Sequence, residues 1–409
     1  MNYNADIAVL GGGASGLIAA ITAKRLNPNL SVYIFEALDR VGKKLITTGN
    51  GRCNITNLNL DLSRFHGQDV SFCEYALSRF GFSETKDFFY SIGVDFTAEG
   101  DKVYPASLQA SSVVDALRFE CERIGVNTVL NCKIEDICFG KEYILLSSEH
   151  SVSAKALILA SGLFSGGDKV GSCGNVFRLL KNDGFKTVKV SPSLVQLKTE
   201  TDFVRQLKGI KSIAKATLLC GNKPVCSYTD EVLFCDYGLS GPAILQISRQ
   251  SGRDDKEYFV SLDLYPDLNN DALALRIKER AKMFGGRTLE EFFVGSLNKR
   301  LAQVVLKYCG YKLSDYASSL NDNDFVRIAE ALKNFKFKVL SNTGFINSQV
   351  SAGGISTNEF DNKTLMSKRY NRLFAAGELL DIDGDCGGFN LSWAWASGAI
   401  AAESAVNSL

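Results

Sequence analysis

Three glycines, Gly11, Gly13 and Gly16, stand in the spacing G-x-G-x-x-G within "VLGGGASGLIAA", between an apolar run and a run of small and apolar residues. The chemistry of that spacing belongs to the backbone. The first glycine allows a tight turn, the second lets the backbone approach a pyrophosphate, and the third lets a helix pack closely on a strand. A helix starting there presents free N–H groups to phosphate. Twenty residues after Gly16, Glu36 ends "SVYIFE", where an acid can receive a ribose hydroxyl and disfavours a 2′-phosphate. A plain glycine turn is the bland reading of the motif alone. With Glu36 at that distance, the pattern predicts a site for a dinucleotide such as NAD or FAD.

The residues beyond Glu36 separate the two. After five intervening residues comes Gly42-Lys43-Lys44, similar to the E-x5-G-[GK]-[KR] extension of glutathione-reductase-type flavoproteins, whose loop runs on toward the pyrophosphate and flavin. A Rossmann dehydrogenase would continue with regular βα units. "ALILASG" (156–162) resembles the A-T-G strand end of the same flavoproteins, with Ser161 in place of Thr. "RLFAAGELLD" (372–381) reads as a buried strand ending in Gly377-Glu378, where such folds place an acid for the ribityl chain. These elements, in this order, predict FAD. A helix opening at Asn390-Leu391 would direct its N–H groups and positive dipole end to the charge near flavin N1 and O2. Arg52 competes for that role against the plain reading of a surface or phosphate-contacting arginine. Tyr104 is a proton-donor candidate, set against an ordinary pocket-wall tyrosine. No second G-x-G-x-x-G follows a later strand, so an NAD(P)H donor would have to dock transiently.

Other chemistries are poorly supplied. His66 and His150 are the only histidines, too few for a multi-His metal site, and a Ser-His-Asp hydrolase is disfavoured. His66 reads as exposed and inactive. Asp381-x-Asp383-x-Asp385 resembles the start of a calcium loop. Cys386, however, stands where the turn needs glycine, and Ser392 where a bidentate Glu belongs, so no metal is expected. Eleven cysteines without a C-x-x-C pair read as small core residues of a reduced, cytoplasmic protein. Lys+Arg 46 against Asp+Glu 45 provides no global field for nucleic acid or an anionic membrane. There is no apolar run of about 18 residues, and "MNYNADIAVL" has neither a basic n-region nor a cleavable apolar segment. The expected partner is a small-molecule substrate, with no nucleic acid and no membrane.

Regular elements must bring these residues together. "ADIAVL" (5–10) and "SVYIFE" (31–36) read as buried strands, "ASGLIAAITAKRLNP" as a helix ended by Pro28, and 37–60 as a functional loop. Helices are expected over 69–79, 83–92 and 110–124, and short strands over 126–130, 132–139, 142–148 and 152–160. From about 191 the character changes. "SLVQLKTE", "SIAKATLLC" and "EYFVSLDLYP" are β-like, while 271–283, 288–308 and 324–334 read as helices. The expected class is α/β, with a discontinuous domain of 1–190 and 340–409 interrupted by an insert, 191–339. At 409 residues more than one domain is expected.

"TGNGRCNITN" (48–57), "VYPASLQASSVVDAL" (103–117), "YGLSGPAIL" (237–245), "VSAGGIS" (350–356) and "GELLDIDGDCGGFNLSWAWASG" (377–398) together resemble the BaiN-type flavoprotein family, which includes aminoacetone-oxidase-like FAD-binding enzymes. The resemblance covers essentially the whole chain. It implies a glutathione-reductase-like, Rossmann-type FAD-binding domain interrupted by a β-barrel part (about 191–265 and 335–350) and a helical part (about 270–334). Motif by motif it implies FAD contacts at Gly11, Gly13, Ala14, Ser15, Gly16, Glu36, Ala37, Lys43 and Lys44. Further contacts fall at Gly51, Arg52, Cys53 and Asn54, at Ala160, Ser161 and Gly162, and at Gly377, Glu378, Gly388, Phe389, Asn390 and Leu391. Ile134, in "CKIEDI", is by position a backbone partner for the adenine. One departure concerns "ASGLFSGGDKVGSCGNVF". Leu163 replaces the second Gly of A-T-G-G, the following proline is absent, and Val176 stands at the last Gly of the loop. The implied activity is that of an FAD-dependent reductase drawing on NAD(P)H and acting on an enone-like substrate. The alternatives are an oxidase of a small amine such as aminoacetone, producing hydrogen peroxide, and a non-catalytic FAD-bound regulatory or RNA-associated module.

Overall fold

The structure is a computed structural model that describes residues 1–251, 254 and 256–409. Met1–Pro192 and Phe345–Leu409 form one compact unit, and Ser193–Gly344 forms a second.

The first unit is built on a sheet whose centre is β1 (Asn2–Leu10). All four residues of its last stretch, Ile7–Leu10, are buried, as a parallel strand covered on both faces requires. The chain turns through the glycines into α1 (Ala14–Leu26) and returns as β2 (Val32–Phe35), parallel to β1. β3 (Asn127–Val129) lies outside β2, and β4 (Ser151–Leu159) lies on the other side of β1. β4 changes partner along its length. Ser151–Ala154 pair antiparallel with Tyr143–Leu146, whereas Leu157–Leu159 pair in parallel with β5 (Leu373–Ala375). The register aligns four strand ends in one row: Phe35 opposite Leu10, Leu10 opposite Leu159, and Leu159 opposite Ala375. Segments 11–13, 36–38, 160–162 and 376–378 therefore leave the sheet at the same edge. This is the carboxyl edge where open α/β sheets bind ligands.

The last element, α2 (Phe389–Ser408), packs on α1 through small residues. A Cβ at Gly398 would stand 2.4 Å from the Ser15 carbonyl oxygen, so only glycine permits this helix crossing. Both helices are apolar around most of their circumference, as buried helices are. Trp393 and Trp395 are buried on α2 and anchor it in the core. Their indole N–H groups are satisfied: Trp393 donates to the Gly377 carbonyl (3.1 Å) and Trp395 to that of Ile55 (2.9 Å).

The second unit contains a closed barrel of six strands in the order 197–199, 238–240, 223–234, 211–220, 258–263, 335–342. Its interior is filled by alternate residues such as Ala214, Ala216, Leu218, Val260, Leu262 and Phe337, all buried. Helices Asn270–Phe284, Lys299–Tyr308 and Asp322–Lys333 accompany it. The helix expected over 288–308 forms only from Lys299. Gly295 lies at φ +83°, and the Asn298 side chain accepts from the N–H groups of Arg300 and Leu301, which fixes the start there. The expected helix over 69–79 is tight over Val70–Cys73 and α-helical over Glu74–Arg79. Among the described residues, no helix is long and apolar enough to cross a membrane.

Candidate active site

Two glycines of the first turn are required by the backbone around them, and the third leaves space open. Gly11 lies at φ +105°, and a Cβ there would meet the Ala160 carbonyl oxygen at 2.6 Å. At Gly16 a Cβ would stand 1.8 Å from the Gly11 carbonyl oxygen, inside the turn itself. Gly13 has nothing within 4 Å of its Cβ position, so its backbone faces open space. α1 starts immediately after it, at Ala14 and Ser15, with no side-chain cap and no acid in its first turn. Its N-terminal N–H groups therefore remain available to an anion.

Glu36 leaves the end of β2 and is held by backbone donors on both oxygens, from Gly12 N–H (2.8 Å) and Leu38 N–H (2.9 Å). Burial pushes its carboxyl above the ordinary carboxylate range, while those amides work in the opposite direction. Ala37 lies between the two held positions. Lys43 pairs with the exposed Asp39 (2.5 Å), whereas Lys44 pairs with Glu378. The other Glu378 oxygen accepts from Ser351 N–H (3.0 Å), and the Ser351 hydroxyl meets that of Ser165 at 2.7 Å. A polar chain, half-buried at Lys44 and Glu378 and buried at Ser351 and Ser165, thus runs from the 42–47 turn through the end of β5 to the segment after Gly162. Gly377 is fixed by α2: its N–H donates to the Ser397 hydroxyl (2.8 Å) and its carbonyl accepts from Trp393.

The 48–54 loop bends sharply. Gly49, Asn50, Gly51 and Cys53 all have positive φ, and Cys53 N–H donates to the Thr48 carbonyl. Cys53 is buried, and burial pushes its thiol up to about 12, so it is not a thiolate nucleophile. Iodoacetamide at pH 8 is therefore expected to leave Cys53 unmodified in the native protein and to label it after unfolding, as read by peptide mass spectrometry. Asn54, with its amide turned so that nitrogen faces the Val103 and Thr56 carbonyls, accepts from Gly388 N–H (3.1 Å). Asn57 donates to the Gly387 carbonyl (2.8 Å) and the Thr56 hydroxyl meets that of Ser392 (2.9 Å). These bonds tie the loop to the start of α2, where Phe389, Asn390 and Leu391 form the first turn. Asn390 grips Gly384 from both sides, accepting from its N–H (2.8 Å) and donating to its carbonyl (2.7 Å).

Arg52 is committed to Glu99, with contacts of 2.9 and 3.0 Å, and lies over the Tyr104 ring at 4.5 Å from its centroid. Burial raises the Tyr104 phenol against the opposing charge of Arg52. Ile134 departs from expectation in one respect: it precedes the strand Asp136–Cys138 and does not lie within it, because the chain there pairs through Cys132 N–H to the Glu36 carbonyl. The Ile134 carbonyl accepts from the Asn175 side chain. His66 is less exposed than expected. It is about one-third exposed and pairs with Asp385 at 2.7 Å, beside Arg64 at 3.2 Å. Asp381 accepts from Gln68 N–H (2.9 Å). At least two of the acids of "DIDGD" therefore pin the 64–68 segment to the C-terminal loop. Ser351, Ser165 and Asn175 escaped sequence reasoning, because nothing local distinguishes a serine that bonds across the sheet from one in solvent.

An open glycine turn, an uncapped helix N-terminus, an acid fixed at the end of β2 and further open backbone at Gly51 and Gly162 fit a dinucleotide lying along the carboxyl edge. Residues 5–404 match the family described as HI0933-like protein Rossmann domain. Over 403 residues the chain is 34% identical to the 3-dehydro-bile acid delta(4,6)-reductase of Clostridium scindens, with 98% of each chain covered. It is 25% identical over 404 residues to the ribosomal RNA dihydrouridine synthase of Haemophilus influenzae, with 97% of each covered. Among solved structures, the 3-ketosteroid-delta4-(5alpha)-dehydrogenase from Rhodococcus jostii shares the fold, with a TM-score of 0.50 at 14% identity over 99% of this chain and 97% of that one. The chain belongs to the HI0933-like Rossmann-domain family, the BaiN-type flavoproteins, and is an FAD-dependent oxidoreductase.

Proposed function

We propose that the chain is a reductase that draws hydride from NAD(P)H and delivers it to a carbon–carbon double bond conjugated with a carbonyl in a small organic substrate. The observation that carries this reading is the 34% identity, over 98% of both chains, to a reductase named for the 4,6 positions of a 3-dehydro-bile acid. Bound FAD would supply the two-electron carrier between donor and substrate. The chain's own residues bind, orient and protonate. In this reading Gly11, Gly13, Ala14, Ser15 and Gly16 hold the pyrophosphate, and Glu36, Ala37 and Ile134 the adenosine. Lys43, Lys44 and Gly51–Asn54, with Ala160–Gly162, line the path of the cofactor. Gly377 and Glu378 meet the ribityl chain, and Gly388–Leu391 the flavin end. Saturating the bond takes one hydride and one proton. Tyr104 is the proposed proton donor to the carbon beside the carbonyl, because its hydroxyl stands 3.4 Å from the Arg52 guanidinium, whose charge favours the phenolate left behind. Arg52, stacked on its ring, orients it. The buried thiols of Cys53, Cys73, Cys121, Cys132 and Cys309 form no disulfide, which suits action in the cytoplasm.

Anaerobic mixing of the FAD-loaded protein with NADH, NADPH or aminoacetone tests this reading. One nicotinamide is expected to bleach the flavin band near ~450 nm, and a conjugated enone to restore it. Bleaching by aminoacetone alone would replace the reductase with an amine oxidase that forms hydrogen peroxide, and no bleaching by any donor would leave a non-catalytic module. A second reading, in which the double bond is that of a uracil in RNA, is favoured by the dihydrouridine synthase relative. Restoration of the band by a uridine oligonucleotide and not by an enone would select it.

A further inference from the structure

The barrel carries on its outer wall a groove of about 670 Å³. Its floor is set by strand register. Ala214, Ala216 and Leu218 point into the barrel, so Lys215, Thr217 and Leu219 face outward. Opposite them on the next strand stand Asp263, Ser261 and Phe259, and beyond Ser261 stands Lys336. Asn222, Pro224, Asn270, Lys333 and Asn334 complete the lining.

The charges in this groove do not balance. Lys333 is bound to Asp263 (2.6 Å) and to the carbonyls of Tyr265 (2.9 Å) and Leu268, which uses its three N–H donors and meets the one carboxylate of the floor. Lys215 and Lys336 have no carboxylate partner among the described residues. Lys336 reaches only the Asn222 amide oxygen at 3.5 Å and the face of Phe259. They stand on the two strands flanking the central one, two residues out of step and so roughly 12 Å apart between backbones, a span that two lysine side chains can close on one anion. On the far side of Lys336 from Lys215, Leu219 pairs opposite Pro224 and forms an apolar surface, with the Asn222 amide between it and Lys336. The volume falls within the range of small-molecule sites, roughly 300–1,000 Å³, and far exceeds a bare phosphate.

We propose that this groove binds a nucleoside phosphate, with the phosphate between Lys215 and Lys336 and the base against Leu219 and Pro224. This is a site apart from the glycine turn and independent of which double bond is reduced.

The FAD-loaded protein keeps the dinucleotide site filled, and the lysine variants below separate the groove from the transient nicotinamide dock. Anisotropy of a fluorescent ADP is expected to rise on mixing. Unlabelled ADP should displace it, and adenosine should need at least about tenfold more. The double charge reversal Lys215→Glu, Lys336→Glu should weaken binding at least about tenfold, as should the neutral pair Lys215→Gln, Lys336→Gln, with retained flavin absorbance reporting an intact fold. A short single-stranded RNA that displaces the probe better than ADP would identify the nucleotide as part of a strand; weaker displacement would identify a free nucleotide. Equal displacement by adenosine, or unchanged anisotropy in both double variants, overturns the proposal.

Discussion

Gly16→Ala is expected to give a chain that loses both its flavin and much of its stability, whereas Gly13→Ala should lose only the flavin. At Gly16 the added methyl would stand 1.8 Å from the Gly11 carbonyl oxygen and 3.0 Å from its carbonyl carbon. Both neighbours are backbone, so no rotamer change relieves the clash. Either α1 lifts from β1 or the turn opens, and overpacking of this kind costs at least about 1–3 kcal/mol. Opening the turn also removes the N–H groups that would face the pyrophosphate. Gly13 has an extended backbone at φ −82°, and no atom lies within 4 Å of its Cβ position. Alanine fits there in the unliganded protein, and its thermal midpoint should stay close to the parent's. The methyl would instead occupy the approach of the phosphate. The ratio of flavin to protein absorbance after purification, with a melting curve for each variant, separates the two effects. A Gly13→Ala protein that retains full flavin would remove the phosphate from this turn.

The same contrast explains what could be read from the sequence. The glycine turn, Glu36 and the buried runs of β1, β2 and β4 are local patterns, in which a few residues at fixed spacing determine conformation and face. They were legible because each glycine answers to atoms only a few residues away or on an adjacent strand. The α/β class, the Rossmann-type sheet and the barrel came from such runs and from motif resemblance. Long-range polar pairing was not legible. Asp385 meets Arg64 and His66 across more than 300 residues, and Ser351 reaches both Glu378 and Ser165. Their types alone leave solvent as an equal partner. The expected helix over 288–308 failed for a related reason: "EEFFVGSLNK" has apolar spacing compatible with a helix, but Gly295 and Asn298 impose turn geometry and a cap that periodicity does not weigh.

Glu378 is where the C-terminal acidic stretch meets the rest of the site, and Glu378→Ala should have the largest effect of any single charge removal there. The carboxylate serves two partners at once, Lys44 on one oxygen and Ser351 N–H on the other. Its side chain is 16% exposed and that of Lys44 26%, so the pair is screened less than a surface bridge and more than a buried one. Truncation strands the Ser351 amide and leaves Lys44 without its counter-ion, for a combined cost of roughly 2–4 kcal/mol. Glu378→Gln retains an acceptor for Ser351 and loses only the charge, so its cost should be roughly half. If the same carboxylate also orders the ribityl chain, FAD dissociation constants should rise at least about tenfold for alanine, and glutamine should fall between alanine and the parent. Ser165→Ala separates the contributions, because it breaks the hydroxyl pair with Ser351 without touching the carboxylate. A lower melting temperature with unchanged FAD affinity in Glu378→Ala would assign Glu378 to the fold alone. Weakened FAD binding in Glu378→Ala but not in Ser165→Ala would assign it to the cofactor.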